Sequence, residues 1–185
     1  MVYPRGIRGY ILAGLILFTA IILLLPKSSR AKTVLEADTL EVTAKKTVAS
    51  GNVKLTRSVW TLNCDHLELE EKDGTEEIVA RGNIVISAEE FTVRADRLSG
   101  NLAEPDSPKP LTFSMEEARG DLGSIRFRGE TVSLKVGGGR VVGFTITEGA
   151  DFSLGKDISI SGGGASFDRI EGGWRFEVTG KVKYV

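Results

Sequence analysis

The side chains that could do chemistry in this chain gather in one short stretch. The only cysteine and the only histidine are followed by four carboxylates: Cys64, His66, Glu68, Glu70, Glu71 and Asp73. A zinc site needs three or four converging ligands, and one His with one Cys two residues away does not supply them. The carboxylates could bind calcium weakly, but their alternation with Leu67 and Leu69 favours an exposed strand face. We therefore predict no metal and no cofactor.

Nucleophilic catalysis has little support either. His66 could form a Ser-His-Asp arrangement with one of many Ser and Asp residues, yet no triad signature surrounds it. We expect His66 to be a solvent-facing turn residue. Cys64 lies in an apolar stretch, which favours a buried small hydrophobe over a reactive thiol. No glycine-rich stretch precedes a helix, as a phosphate-binding loop would require. The prediction is a protein that is not an enzyme.

A near-repeat organises the chain around these residues. A small residue, Asp, any residue and Leu recur at Ala37-Asp38-Thr39-Leu40, Cys64-Asp65-His66-Leu67 and Ala95-Asp96-Arg97-Leu98. Gly-Asn before a β-branched residue occurs at Gly51-Asn52-Val53 and Gly82-Asn83-Ile84. Asp65 to Asp96 and Gly51 to Gly82 are both intervals of 31 residues. A fixed period of this kind indicates stacked units, and degenerate copies near 129–132 and 166–170 bring the number to about five.

Each unit reads as strand. Segments such as Val53–Arg57 and Phe91–Ala95 alternate with period two, which predicts one buried and one exposed face. Across Asp65 the apolar spacing slips from two to three, so the chain must bulge there to keep its faces. We infer that one strand ends and the next begins at each such Asp, and that each Asp caps a turn rather than binding a ligand.

The turns support one all-β domain over residues 33–185. Asp73-Gly74 predicts a hairpin between Leu67–Glu71 and Glu77–Ala80. Residues 115–119 could form one helical turn, but a strand is favoured. The proline-rich loop 104–110 divides the strands without making either half independent.

Residues 1–32 form a separate N-terminal segment. Arg5 and Arg8 precede an apolar run from Tyr10 to Leu25, which is near the length of a signal-peptide core and short for a membrane span. We favour an uncleaved anchor over residues 7–25, with a cleaved signal as the alternative. Five of the 24 basic residues precede residue 33 and all 25 acidic residues follow it, so the remainder carries a net charge of −6. Its scattered Lys and Arg predict no basic patch for nucleic acid.

The motifs resemble a known family. The order Ala-Asp-x-Leu, then Gly-Asn-Val-x-Leu, after an export or anchor segment is similar to the OstA-like domain of periplasmic lipopolysaccharide-transport proteins, the LptA and LptC kind. Val34 to Gly100 carries the resemblance most clearly. It implies a V-shaped β-jellyroll of sixteen or so antiparallel strands, stacked end to end into a bridge. The apolar segment is typical of LptC-like members, which stay in the inner membrane beside an ABC transporter. The Gly-Asn-Val repeats are typical of soluble LptA-like members.

The expected function is therefore to accept lipopolysaccharide, or a related lipid, from an inner-membrane ABC transporter and pass it along a periplasmic bridge. An apolar lining would hold the acyl chains. The candidate lining residues are Val53, Leu55, Trp60, Leu62, Leu67, Leu69, Ile84, Ile86, Phe91, Val93 and Leu98. The alternative for each of them is a place in a closed core. The terminal strands, around Val34–Val42 and Trp174–Tyr184, are candidate edges for docking other jellyroll proteins.

Two other functions stay open. The first is a structural or adaptor module that assembles through strand edges and carries no lipid. The second is a secreted hydrolase on a β-solenoid, which would need a carboxylate pair converging in a cleft.

Overall fold

A computed structural model describes residues 33–57, 59–72, 75–102, 110–137 and 140–184 as fourteen strands of one antiparallel sheet. The first seven strands are β1 (Thr33–Glu36), β2 (Thr39–Val42), β3 (Lys46–Arg57), β4 (Trp60–Lys72), β5 (Thr75–Ala88), β6 (Phe91–Leu102) and β7 (Leu111–Leu122). The others are β8 (Ile125–Gly137), β9 (Arg140–Glu148), β10 (Ala150–Leu154), β11 (Ile158–Gly162), β12 (Gly164–Ile170), β13 (Gly173–Thr179) and β14 (Lys183–Tyr184). Every regular element in these ranges is a strand, which confirms the all-β prediction.

Six long strands, β3 to β8, pair in chain order as successive hairpins. Lys72, the last residue of β4, pairs with Thr75, the first residue of β5, so the hairpin predicted at 73–74 is confirmed. Residues 115–119 lie within β7, as the strand interpretation expected. Because β6 pairs with β7 across the proline-rich loop, the two halves of the chain form one continuous sheet.

The sheet folds into two layers. Each long strand crosses from one layer to the other, so its two halves pair with different neighbours. Residues 54–57 of β3 pair with β1, whereas residues 47–50 pair with β2. At the other end, residues 125–128 of β8 pair with β10, and residues 131–137 pair with β9. The first layer comprises β1, 53–57, 60–64, 84–88, 91–95, 118–122, 125–129, β10, β11 and β14. The second layer comprises β2, 46–50, 66–72, 75–81, 97–102, 111–116, 131–137, β9, β12 and β13.

The layers pack face to face. The Trp60 ring in the first layer meets the Phe113 ring in the second at 5.6 Å between centroids, although β4 and β7 are not neighbours. Phe152 of β10 meets Phe167 of β12 at 4.8 Å in the same way. These contacts across the interior establish a two-layered antiparallel sandwich, which is consistent with the jellyroll that the resemblance implies.

The two repeated signatures form one structural unit where a strand turns from layer to layer. Gly51 and Asn52 both have positive φ, at 75° and 47°, and Asn52 Nδ2 donates a hydrogen bond to Asp38 Oδ2 at 2.9 Å. Gly82 and Asn83 repeat this geometry at 73° and 47°, and Asn83 Nδ2 donates to Asp65 Oδ2 at 2.9 Å. Glycine and asparagine are the residues that most readily adopt this left-handed conformation. We call these sites corners.

The corners correct one prediction. The expected bulge is present, since the β3–β4 register shifts between Ser50 and Val53 and the β4–β5 register shifts between Asn63 and His66. The prediction that one strand ends and the next begins at the aspartate is confirmed at Asp38, which lies between β1 and β2, but is wrong at Asp65 and Asp96, because β4 and β6 run through them. In the adjacent strand, two residues in the left-handed conformation accommodate the extra residue of the bulge. Regular strand pairing therefore continues on both sides of the bulge. The Asp65 carboxylate also bonds to that adjacent strand instead of capping a turn of its own.

Residues 1–32 lie outside the described part of the chain, and so does the predicted anchor at 7–25. Among the described residues, no helix has the length and apolar character needed to cross a bilayer. The boundary between an N-terminal segment and a domain at 33–185 stays a prediction.

Gly82→Ala tests the corner. A Cβ at Gly82 would overlap the Asp65 carboxylate, and the positive φ adds strain, so we expect a loss of about 1–3 kcal/mol in the free energy of unfolding. Urea denaturation followed by tryptophan fluorescence measures it. Gly172→Ala is the matched control, since Gly172 has φ +82° but nothing within 4 Å of the added atom. Equal losses in the two variants would show that the Asp65 contact contributes nothing.

Candidate functional site

One row of inward positions crosses the whole first layer. Cross-strand partners connect ten positions from β1 to β14: Leu35, Leu55, Leu62, Ile86, Val93, Gly120, Phe127, Phe152, Ile160 and Tyr184. The single glycine is filled by its neighbours, because a Cβ at Gly120 would lie 2.9 Å from both Phe127 Cζ and Val93 Cγ2. The first layer therefore presents an unbroken apolar line to the interior.

The second layer carries a matching row. Its nine positions run from β3 to β13: Thr47, Leu69, Ile78, Gly100, Phe113, Leu134, Phe144, Phe167 and Phe176. Here too a phenylalanine covers the glycine, with Phe113 Cδ1 3.0 Å from a Cβ placed on Gly100. The two rows end in exposed aromatic side chains, Tyr184 at 70% and Phe176 at 40% exposure.

All eleven candidate lining residues point into this interior. Each is at most 8% exposed, and all belong to one core cluster. The period-two alternation thus identified the correct face of every strand concerned. Burial alone fits both a lipid lining and a closed core, so the role of these residues as a lipid groove stays a prediction.

Among the described residues, the inward side chains pack against one another and leave little exposed surface. Phe144 stacks on Phe167 at 4.1 Å and on Phe127 at 4.7 Å, which fills the C-terminal part between the layers. At the N-terminal edge a cavity of about 190 Å³ lies between Leu35 and Leu55 of the first layer and Val42 and Leu69 of the second. Ligand pockets generally occupy about 300–1,000 Å³. This cavity is therefore smaller than the usual ligand site.

An ion pair joins the layers on the side opposite the corners, which we call the open side. Arg57, at the end of β3 in the first layer, contacts Glu76, at the start of β5 in the second, with 3.4 Å between Nη1 and Oε2. Arg57 is 7% exposed. Burial raises the pKa of Glu76 against the opposing effect of Arg57, and burial lowers the pKa of Arg57. The pair thus places charge at the rim of an apolar interior.

A second ion pair lies further along the open side. Glu90, in the turn between β5 and β6, receives hydrogen bonds from Arg169 of β12 at 2.6 and 3.3 Å. Arg140 of β9 lies 3.7 Å from the same carboxylate. Arg169 lowers the pKa of Glu90, with a smaller effect of Arg140. Both contacts connect a first-layer turn to second-layer strands, so they also hold the layers together.

His66 differs from its prediction. It lies within β4, one-third exposed, and not in a solvent-facing turn. Its Nδ1 is 2.9 Å from Ser50 Oγ and its Nε2 is 3.1 Å from Glu68 Oε1, while Lys46 Nζ lies 2.8 Å from Glu68 Oε2. His66 and Ser50 are direct partners of the β3–β4 ladder, which the sequence separation of the two residues concealed.

The serine, histidine and glutamate form a chain of polar contacts on the outer face of the second layer. Cys64, predicted to be a buried small hydrophobe, is 4% exposed, and burial raises the pKa of its thiol to about 11. The carboxylates that could have bound calcium instead neighbour lysines: Glu68 pairs with Lys46, and Glu70 lies near Lys72. Among the described residues, no group of three potential ligands comes together for a metal ion.

The sheet assembles a basic row that the sequence did not reveal. Arg94, Arg119 and Arg128 are direct cross-strand partners on β6, β7 and β8, and all three are exposed on the outer face of the first layer. Their sequence positions are 25 and 9 residues apart, so the predicted scatter of basic residues does not hold here. Only strand register could have identified the row.

The predicted docking edges lie at the ends of the sandwich. Within the described residues, β1 and β2 each pair only with β3, and β13 and β14 pair only with β12 and β11. Each layer therefore has a strand with one unpaired side at both ends. Such strands can accept another chain by strand addition.

No protein-family profile and no curated protein matched the sequence. Among solved structures, the chain is similar to the crystal structure of LptH from Pseudomonas aeruginosa, described as the LptA-homologous periplasmic component of a lipopolysaccharide transport device. The identity is 16%, the alignment covers 82% of this chain and 92% of that one, and the TM-score is 0.31. A similarity at this TM-score does not extend the role of LptH to this chain.

Glu68→Gln tests the polar cluster around His66 by its pH dependence. Lys46, and then His66, lower the pKa of Glu68 from 4.5 to about 2. The stabilisation by Glu68 is therefore complete above about pH 4.5 and disappears as the pH falls to about 2. We expect a lower Tm for the variant at neutral pH and a difference that vanishes over this window, measured by thermal melts. Lys46→Gln should show the same window, and a constant difference down to pH 2 would contradict the assignment.

Proposed function

We propose that this chain is a periplasmic carrier that passes lipopolysaccharide, or a related lipid, between partner proteins without catalysing a reaction. The observation that carries the proposal is the pair of facing, mainly apolar rows. The first-layer row runs from β1 to β14, and the second-layer row runs from β3 to β13; among the described residues, β1, β13 and β14 each have one unpaired side. The repeated Asp and Gly-Asn motifs support it, because they build the corners that hold the two rows opposite each other.

Apolar burial supplies the driving force. Each buried CH₂ contributes about 0.8 kcal/mol, so a chain of about twelve carbons gains on the order of 10 kcal/mol by leaving water. The sugar and phosphate part of the lipid would stay outside. Since the described inward side chains pack against one another, we propose that loading requires the layers to part on the open side, where the ion pairs of Glu76 and Glu90 hold them together.

The ends of the sandwich give the proposed handover route. A partner strand added beside β1 or β14 would continue the first-layer row, and one beside β2 or β13 would continue the second. We propose other jellyroll transport proteins and an inner-membrane ABC transporter as the partners. Whether the chain stays anchored through residues 7–25 or is released by cleavage is decided by the mass of the mature protein.

The closed packing also favours a second candidate function. An adaptor that assembles through strand edges would need a filled core and no groove, and the aromatic contacts between Phe127, Phe144 and Phe167 fill the core. The two functions differ in whether the interior is ever occupied by lipid.

Site-specific photo-crosslinking separates them. A photo-reactive amino acid at Leu62 or Phe91, both inward and nearly unexposed, should capture lipid in cells that make lipopolysaccharide. The same substitution at Glu70, on the outer face of β4, is the control. Capture of protein partners at the strand edges without lipid capture at either inward position would favour the adaptor.

The open-side ion pairs give a second test. Glu76→Gln combined with Glu90→Gln removes both carboxylates, so the layers should part more readily and the rate of lipid capture at Leu62 should rise several-fold. Lys72→Gln is the control, because the 2.8 Å Lys72–Glu77 pair lies on the outer face of one hairpin. A rate unchanged in the double variant, in protein whose circular dichroism matches the parent, would show that opening does not involve these pairs.

A further inference from the structure

The outer face of the first layer brings three like charges together. Arg94 is the direct partner of Arg119, which is in turn the direct partner of Arg128. Neighbouring strands lie about 4.8 Å apart, so the three side chains start within about 10 Å of one another. Like charges directly opposite each other destabilise a sheet. Asp151 of β10 is the direct partner of Arg128 on its other side and offsets part of this repulsion, whereas Arg119 has an arginine on both sides.

The described residues do not neutralise this row by ion pairing. None of the three arginines forms an ion pair within 4.0 Å in the described part of the chain, whereas Arg57, Arg140, Arg169 and Arg175 all do. Five N–H donors on each guanidinium are thus directed to solvent or to a bound group. Arginine is the side chain best shaped to bind phosphate, because its fork donates two parallel hydrogen bonds.

A cavity of about 420 Å³ adjoins the row at the third corner. At the first two corners an asparagine binds the aspartate of the neighbouring strand, but at this one Glu117, with φ +50°, takes the place of the asparagine opposite Asp96. The corner consequently presents two exposed carboxylates beside the arginines. The volume is within the range of small-molecule sites and exceeds what inorganic phosphate would need.

We propose that this cavity binds a phosphorylated saccharide. Arg94, Arg119 and Arg128 would bind the phosphate, and Asp96 and Glu117 would accept hydrogen bonds from sugar hydroxyls. Carboxylates repel a bare anion, so their place beside the arginines selects a ligand that carries hydroxyl groups as well as negative charge. The arginines face away from the interior, so this site is separate from the proposed lipid groove. Because the proposed cargo also carries sugar and phosphate, the inference deepens the proposed function, and the crosslinking at Leu62 and Phe91 tests lipid carriage separately.

Calorimetric titration of the full chain in neutral detergent micelles tests the proposal with glucose 1-phosphate, inorganic phosphate and glucose as probes. We expect glucose 1-phosphate to bind most tightly. Arg119→Gln should weaken that binding about tenfold or more, as expected for the loss of a charge-assisted hydrogen bond. Arg126→Gln removes the same charge from the same face of β8 and serves as the matched control. Equal weakening in both variants would overturn the proposal, because it would indicate a diffuse charge effect.

The carboxylates are tested separately. Glu117→Asn suits a left-handed position and removes a carboxylate that accepts from hydroxyl groups and repels a bare anion. It should therefore lower the preference for glucose 1-phosphate over inorganic phosphate, and an unchanged ratio of the two affinities would contradict the role of Glu117. Arg119→Gln should also raise, or leave unchanged, the Tm of the ligand-free protein, since it relieves repulsion between the arginines. A lower Tm would assign the row a structural role.

The last test uses vesicles of phosphatidylcholine with phosphatidic acid. Arg119-dependent binding to these vesicles, without glucose 1-phosphate binding, would replace the saccharide with a lipid surface and overturn the proposal.

Discussion

The hydrogen bond between an aspartate and the asparagine of the next strand is the interaction on which the first two corners depend. It fixes two consecutive residues in the left-handed conformation, as at Gly51 and Asn52, and so lets one strand leave the first layer and continue in the second. Without it, the extra residue at each bulge would turn every later side chain to the wrong face. Repetition at Asp65 keeps both faces in register across neighbouring strands.

Once the corners exist, the two apolar rows follow from strand alternation alone. The rows need no special residues beyond the glycines at 100 and 120, each of which lies beneath a phenylalanine ring. The described part of the interior is dense, and the ion pairs described at its rim include Arg57 with Glu76 and Glu90 with Arg169. Breaking a well-packed apolar contact is opposed over a wide area, whereas an ion pair is a local contact that neighbouring charges or water can replace. Reversible separation is therefore easier along the open side than at the corners.

The sequence was sufficient for features that depend on local periodicity. Alternation identified strands and their inward faces, including Leu62 and Phe91, and the slip of spacing at Asp65 identified a bulge. Features that depend on register were out of reach. The contact of His66 with Ser50 lies beyond a bulge, which shifts the residues that face each other across β3 and β4. The alignment of Arg94 with Arg119 has no bulge behind it and depends on the register that β6 and β7 take across the proline-rich loop. A small error in the predicted register changes every cross-strand pair beyond it. The cross-strand partners of outward residues are therefore harder to predict than which residues point inward.

The period of the repeat has a consequence for how such a protein could change in size. One period, such as residues 52–82, contributes two strands to each layer and both of its ends lie at corners of the same geometry. Duplicating or deleting one period would lengthen or shorten the sandwich by about 10 Å, the spacing of two strands, while leaving the terminal strands untouched. The length of the sandwich could thus change in steps of one period, while the terminal strands keep the same sequence.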